Sequence, residues 1–581
     1  MVKRAHSDVF PVFSLASPKG GEGRGEEVPL CRGPIPSPQP SPRLGGARES
    51  GAAASRGVVK WFLNFLPLAG LAVGNAHAQL TLADVQTVVA QAVTRATALA
   101  SSPLRTNAVI ALTDREGWVL GVWALNTNAT LADPLVGEAI AKAGTAAFLS
   151  SGQNAFSTRT AGFIVQQHFP PGIDNKPPGP LVGVNFSQLG FSDINKFKAP
   201  GSVITYGSSP GTNLVATPLP VTGGLEGTPG GLPLYKNGQL VGGVGIAGNG
   251  VSPVSVTPSV IAKPDGDEDV ALAGQTGFAP VNQISGSQVL IDGIRLAYIE
   301  SSTSLSAVLP FGGLPGKNVS PFTLIPTPAP FPYPVLTLGG ATGELRQPII
   351  ADPSAVPLPY GAARLTATDV SNILAAAANR CRTTRAGIRL PRGVAAQVFI
   401  SVVNNPNGAG LPPVVLGTFC TSPDTTRFSW DVAVQKARTA VFFSATNRAY
   451  SARTVGFLAQ EFYPPGINGT QPGIFLGLQE KFSAFPANVT NPLNGAIVTN
   501  APSVNPNLPN GITIFPGGFP LYRHGALIGA VGVSGDGIDQ DDLISASGAS
   551  LFLAPVPIRA DQTQYRGARL PFAKFPRNPA M

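Results

Sequence analysis

One stretch of this chain occurs twice. Residues 231–250 read GLPLYKNGQLVGGVGIAGNG and residues 518–537 read GFPLYRHGALIGAVGVSGDG, and the two align without a gap. The shared residues are those that set backbone shape: Gly238 with Gly525, Gly242 with Gly529, Gly245 with Gly532 and Gly248 with Gly535. A chain that carries such a unit twice is expected to fold as two similar domains, and 581 residues exceed what one core accommodates. Two copies are too few for a solenoid, which leaves a duplicated domain.

The flanks repeat as well. Thr81 and Asp84 have the spacing of a capping box, and Leu82, Val85, Val88, Val89, Ala92, Val93 and Ala96 follow at helical spacing with one apolar face. The motif returns at Thr366 and Asp369, followed by Ile373, Leu374 and Ala377. A strand pair comes next: 107–113 and 118–125 around the turn Asp114-Arg115-Glu116-Gly117, then 398–403 and 414–419 around a longer loop. Ala139 to Pro171 aligns gaplessly with Ala433 to Pro465 as a second helical region, sharing Lys142/Lys436, Thr145/Thr439, Arg159/Arg453 and Gly162/Gly456. Each copy then inserts a long Pro/Gly/Asn-rich loop before the repeated stretch, read as a hairpin, and a last helix with acids in its first turn. Residues 301–362 are Pro-rich without periodicity and read as an extended linker between a first domain (79–300) and a second (363–560). Residues 561–581 read as a basic tail lying over a surface.

The N-terminal 78 residues look like processing sequence. Arg56 and Lys60 precede an apolar run from Trp61 to Val73, and Ala76-His77-Ala78 is an A-x-A cleavage pattern. The run is too short for a membrane span. Export with cleavage after Ala78, to a periplasmic or secreted location, is the expectation. Residues 1–55 precede this signal and include the low-complexity stretch Ile35 to Arg48, which suggests a true start near Val58 or Val59, or else a disordered extension. The leader carries nine Lys/Arg and five Asp/Glu, a net of +4, so only +5 of the formal +9 is spread over the remainder. With no basic cluster along one helix, a nucleic-acid partner is not expected. Cys381 and Cys420 both fall in the second half; they suit either one disulfide in an oxidising compartment or two buried thiols.

The opening L-T-x-x-D-V helix, Gln435 to Ala440 (QKARTA), Gly518 to Tyr522 (GFPLY), Gly529 to Gly535 (GAVGVSG) and Gln540-Asp541-Asp542 resemble the GlcG/HbpS family of haem-binding domains. The likeness covers nearly all of the second half. The first half is similar but degraded, with Gly144 for Arg438, Ala247 for Ser534, and a loop from Val251 to Pro264 between the glycines and Asp265. The resemblance implies an α+β fold of two tandem profilin-like (GlcG-like) domains, each an antiparallel sheet with packed helices and a long inserted loop. It also implies haem or tetrapyrrole binding, for scavenging, buffering or sensing. Iron binding and higher oligomers occur in some members.

Each candidate site residue admits a functional and a structural reading. Asp536, Asp539, Asp541 and Asp542, echoed by Asp265, Asp267, Glu268 and Asp269, offer oxygens to a hard cation such as iron. Acids in a first helical turn also serve free N–H groups and the helix dipole. His168 and His524 are the haem-ligand candidates outside the leader, yet neither is shared by both copies; His524 sits where an Asn-Gly-type turn is expected and His168 at an apolar helix position. Tyr235/Tyr522 can ligate iron or simply pack a strand, and Arg159/Arg453 can pair with a propionate or form an internal ion pair. Gly243-x-Gly245-x-x-Gly248 matches a dinucleotide fingerprint, but Ala530 breaks it in the second copy and it follows a hairpin; glycines that let a strand approach a helix explain it better. No nucleophile–base set, H-E-x-x-H, C-x-x-C or P-loop is found. That speaks against a hydrolase or NTPase. It leaves a haem binder first, an interaction protein with a lost pocket second, and an enzyme acting on haem or a small acid with least support.

Overall fold

In a computed structural model, residues 79–181, 226–250, 262–320, 333–478 and 511–574 are described, apart from positions 132, 167, 174, 175, 177, 178, 388, 389, 391, 392, 409 and 536, together with residues 322, 324, 489, 490, 497, 498 and 508. The leader and its cleavage site, most of each inserted loop and the end of the tail lie outside them.

The first half opens with α1 (Leu82–Ala98), and its start is the expected capping box. Thr81 Oγ1 accepts from Asp84 N at 3.2 Å while Asp84 Oδ2 accepts from Thr81 N at 2.7 Å. The short α2 (Leu104–Asn107) leads into β1 (Val109–Asp114) and β2 (Val119–Ala124). The second helical region divides into α3 (Pro134–Leu149) and α4 (Thr158–Ile164), the latter begun by a fresh cap at Ser157. The hairpin β3 (Gly231–Lys236) and β4 (Gln239–Ala247) follows, then α5 (Gly266–Gly274). Between the halves run β5 (Leu290–Ile291), β6 (Ile294–Arg295), β7 (Lys317–Asn318), β8 (Val335–Leu338) and β9 (Ala341–Gln347). The second half gives α6 (Ala367–Thr383), β10 (Phe399–Asn404), β11 (Val415–Cys420), α7 (Ser429–Phe442), α8 (Ala452–Leu458), a two-strand ribbon β12 (Val489–Thr490) and β13 (Ile497–Val498), the hairpin β14 (Gly518–Arg523) and β15 (Ala526–Ser534), α9 (Ile538–Ala549), and the ribbon β16 (Gln564–Tyr565) and β17 (Ala568–Arg569).

Two mixed α+β units result, each around an antiparallel sheet. The strand orders are β3-β4-β1-β2-β7 and β14-β15-β10-β11-β9-β8. The repeated stretch explains the layering. In β4, Gly243 and Gly245 face α3: a Cβ on either would collide with the carbonyl oxygen of Ala143 or Ala139. The alternate residues Val244 and Ile246 face the other way, into a core with Val85, Val88 and Val89 of α1 and Val270 of α5. Gly532 in β15 repeats this against Ala433 and Ala437 of α7. A two-residue period of small and large side chains thus lets the long helix lie almost on the strand backbone while the opposite face fills a core. The glycine motif is helix–sheet packing, not a phosphate loop. At the hairpin tips Asn237 and Gly238 have φ of 54° and 75°, and His524 and Gly525 have 50° and 81°, the positive pair that a type I′ turn requires.

Two expectations are corrected. Residues 301–362 are more than a linker: Lys317–Asn318 pairs with β2, and the β8–β9 hairpin adds two strands to the second sheet through β9 and β11. Short exposed strands lack the apolar alternation that marks a buried one, so no period was visible there. Nor are residues 561–574 only a tail. They repeat the segment after α5, with turns at Asp292-Gly293 and Arg566-Gly567. Ser157 Oγ donates to Tyr298 O at 2.5 Å, and Ser451 Oγ donates to Phe572 O at 2.5 Å. The likeness between the halves therefore runs past residue 560, and the second sheet begins before 363.

The halves are joined by a charged lock. Glu116, in the β1–β2 turn, accepts from Arg427 Nε at 2.6 Å and from Arg346 Nη1 at 3.0 Å. Arg115 Nη2 reaches Asp424 Oδ1 at 2.9 Å, an oxygen that also accepts from Gly152 N at 2.7 Å. Arg346 is buried beneath Tyr333 and Trp430. Burial, together with the Arg427 charge, pulls the Arg115 guanidinium down to about 10.

Candidate functional site

The acids at the head of each last helix are organised by cations that the sequence holds in common. Lys142 Nζ (α3) donates to Asp267 Oδ2 at 2.8 Å, and Lys436 Nζ (α7) donates to Asp541 Oδ2 at 2.7 Å and to Val533 O at 2.9 Å. One position on, Arg159 grips Glu268 with two bonds of 2.7 and 2.9 Å, and Arg453 bonds Asp542 at 2.8 Å and Asp539 at 2.7 Å. The same carboxylates anchor the returning chain. Glu268 Oε2 accepts from Glu300 N and Ser301 N, at 3.0 and 2.9 Å, and Asp542 Oδ2 accepts from Lys574 N at 2.7 Å. Lys574 also pairs with Asp539. A buried charge persists only when paired, and here Asp267, Glu268, Asp539, Asp541 and Asp542 each have a cation.

These ion pairs bear on the metal reading of the aspartates. Asp539, Asp541 and Asp542 are neutralised by Lys574, Lys436 and Arg453, and Asp536 lies outside the described residues. Among the described residues no group of three or more His, Cys, Asp or Glu is placed to hold a metal ion. The arrangement does not fit iron. Burial would raise Asp539, but Lys574 and Arg453 hold its carboxyl below the usual range. Arg453, a candidate for a haem propionate, is taken up by this internal network.

The first half carries a surplus of acid at the same place. Glu138 lies 2.8 Å from Lys142 Nζ, and the buried Glu226 accepts from Gly227 N, Thr228 N and Thr228 Oγ1 at 2.9–3.0 Å. Glu226 N bonds Thr145 Oγ1 as Thr513 N bonds Thr439 Oγ1, so Thr513 is the counterpart of Glu226, and Val432 stands where Glu138 does. Burial and the Glu138 charge push the Glu226 carboxyl up to about 7, against the pull of Lys142.

The aromatic and imidazole candidates separate. Tyr522 OH lies 2.8 Å from the carbonyls of Ala445 and Arg448, and Tyr235 OH donates to Ser151 O at 2.6 Å; each buried phenol pins the loop after a long helix, and burial raises its pKa. His168 Nδ1 is 2.9 Å from Lys176 O, on a different half from His524. His524 stands exposed at the β14–β15 tip. Beside it the Arg523 guanidinium lies 5.0 Å from the Phe552 ring and donates to Ala363 O at 2.8 Å. Tyr360 reaches within 3.8 Å of the space beside Gly525. Cys381 and Cys420 are not bonded to each other: as buried thiols, Cys381 Sγ donates to Ala396 O at 2.8 Å and Cys420 Sγ to Ser422 O at 2.9 Å. No described helix is long and apolar enough to cross a membrane.

Residues 365–550 match the model of a family described as haem degrading protein, HbpS-like. Among solved structures, the chain is similar to a PduOC:haem complex at 23% identity, covering 32% of this chain and 94% of that one with a TM-score of 0.20. It is also similar to protein ORFY of Klebsiella pneumoniae at 18% identity, covering 35% and 93% with a TM-score of 0.20. No curated protein matches. The family match falls wholly within the second half.

Sequence reasoning missed the roles of Lys142 and Lys436. The signal was there, since each is a lysine kept in both copies within an apolar helix. It missed Glu116 as well, whose partners lie far along the chain and leave no local trace.

Proposed function

We propose that this protein is exported and binds haem or a related tetrapyrrole through its second half, for scavenging, buffering or sensing. The observation that carries the reading is the match of residues 365–550 to the haem-degrading HbpS-like family. The two halves are read as a tandem duplication in which the first has become a structural partner, its helix head filled by Glu138, Lys142, Glu226 and Asp267. Export rests on the basic-apolar-AxA leader ending at Ala78. A tetrapyrrole needs apolar contact and an axial nitrogen, oxygen or sulfur donor from the protein. Tyr522 and Arg453 are internally engaged, whereas the imidazole of His524 is presented to solvent.

Titrating the purified mature chain with haemin tests the reading. A Soret band shifted from that of free haemin and saturating at one equivalent is expected; no shift at micromolar protein would sink the proposal. The family's description favours haem degradation as a second reading. Loss of the Soret band in the loaded protein under air with a reductant, faster than in free haemin, would support that reading, and a stable band would refute it.

A further inference from the structure

We propose that the tetrapyrrole docks at the tip of the β14–β15 hairpin, with the His524 imidazole as iron ligand and Tyr360, Leu551 and Leu553 as its apolar seat. This placement rests on the reading that the second half binds haem.

Four observations converge on that tip. First, His524 is exposed in a rigid two-residue turn, and its ring makes no hydrogen bond among the described residues. An unpartnered imidazole held on a type I′ turn is a ready nitrogen donor. Second, large exposed apolar side chains lie on the two segments that contact this hairpin. Tyr360 is 72% exposed, Leu551 51% and Leu553 69%. Tyr360 leans over Gly525, and the turn carrying Leu551 and Leu553 is fixed to the hairpin by Phe552 beneath Arg523. A single exposed leucine is ordinary, but several exposed apolar side chains on segments packed against one hairpin mark a binding surface.

Third, Tyr360 holds a φ of 58°, a region an aromatic residue adopts at a cost of order 1 kcal/mol. The surrounding structure must offset that cost to hold the ring over the turn. Fourth, the first half lacks the imidazole and both leucines at matching positions. Asn237 replaces His524, and in the aligned segments GQTGFA (274–279) and GASLFL (548–553), Gly277 and Ala279 replace Leu551 and Leu553. The phenylalanine of that segment, buried as Phe278 and half-buried as Phe552, is kept in both halves, whereas the leucines are not. The differences fall in the half that matches the haem family. Among charged groups, Arg523 is 3.1 Å from Asp369 and pairs with it, so that carboxylate is neutralised beside the seat.

Haemin titrations of wild type, His524→Ala, the double variant Leu551→Asp/Leu553→Asp and the first-half control Asn237→Ala decide the matter, with circular dichroism confirming folding of each. The expected result is a saturating Soret shift in wild type and control, an altered Soret maximum in His524→Ala, and a binding midpoint weakened about tenfold or more in the leucine variant. Wild-type binding that all three variants reproduce overturns the placement and leaves haem binding standing. Absence of binding in wild type overturns both. If the leucine variant instead abolishes a dimer seen by sedimentation while its Soret titration is unchanged, the patch is a contact between copies of this chain and the placement fails.

Discussion

Glu226→Gln gives a test with a direction set by linkage. The Glu226 carboxyl lies in the first half facing Glu138 and Lys142 of α3, with Asp265 and Asp267 at the head of α5 nearby. Its native pKa is pushed from the reference 4.5 up to about 7 by burial and by Glu138. The native state therefore holds this proton more tightly than the unfolded chain. Below about pH 4.5 both states carry it and nothing is lost. As pH rises toward 7 the unfolded chain ionises first and stability falls, reaching a plateau above the native pKa. A shift of about two and a half units corresponds to roughly 3 kcal/mol. Glutamine keeps the shape and the oxygen that accepts from Gly227 N and Thr228 but never ionises. Urea unfolding of both proteins at pH 5 and pH 8 is the assay. The variant should be more stable than wild type at pH 8, with most of the advantage gone at pH 5. A difference between variant and wild type that stays constant across that interval would refute the argument that Glu226 is ionised at a penalty.

Three further outcomes are expected. Gly532→Ala places a Cβ against the Ala433 carbonyl and 2.7 Å from Ala437 N, both helix backbone that cannot yield, so a loss of about 3 kcal/mol or more is expected by thermal denaturation. Gly238→Ala, in open space at φ 75°, should lose only about 1 kcal/mol. Glu116→Ala strips a carboxylate from the buried Arg346 and Arg427, a cost of about 3 kcal/mol. Calorimetry should then resolve the first and second halves as separate transitions; one unchanged transition would show that the lock contributes nothing.

The local parts of the fold were legible because local physics writes them. The Thr81–Asp84 and Thr366–Asp369 boxes, the helix faces built on Val85 and Ile373, and the hairpins at Asn237-Gly238 and His524-Gly525 each follow from spacing alone. Comparing the copies also disposed of the nucleotide loop, since Ala530 replaces Gly243 without disturbing the strand. Edge strands such as β7 and β8 were not legible, being short and half-solvated. The candidate site was harder still. The aspartates were visible as a cluster, but their partners Lys436, Arg453 and Lys574 come from three separate segments, and only folding shows that each acid is already paired.

The lock between the halves also governs how copies of this chain can meet. One partner contributes a turn and the other a socket, so the contact has no two-fold character and, if both halves carried both parts, would string chains end to end. They do not. The β10–β11 loop of the second half, residues 405–414, has no charged residue to offer in place of Glu116. In the first half Asp133 occupies the position of Arg427, where it caps α3 instead. Polymer growth through this joint is terminated after a single step, within one molecule.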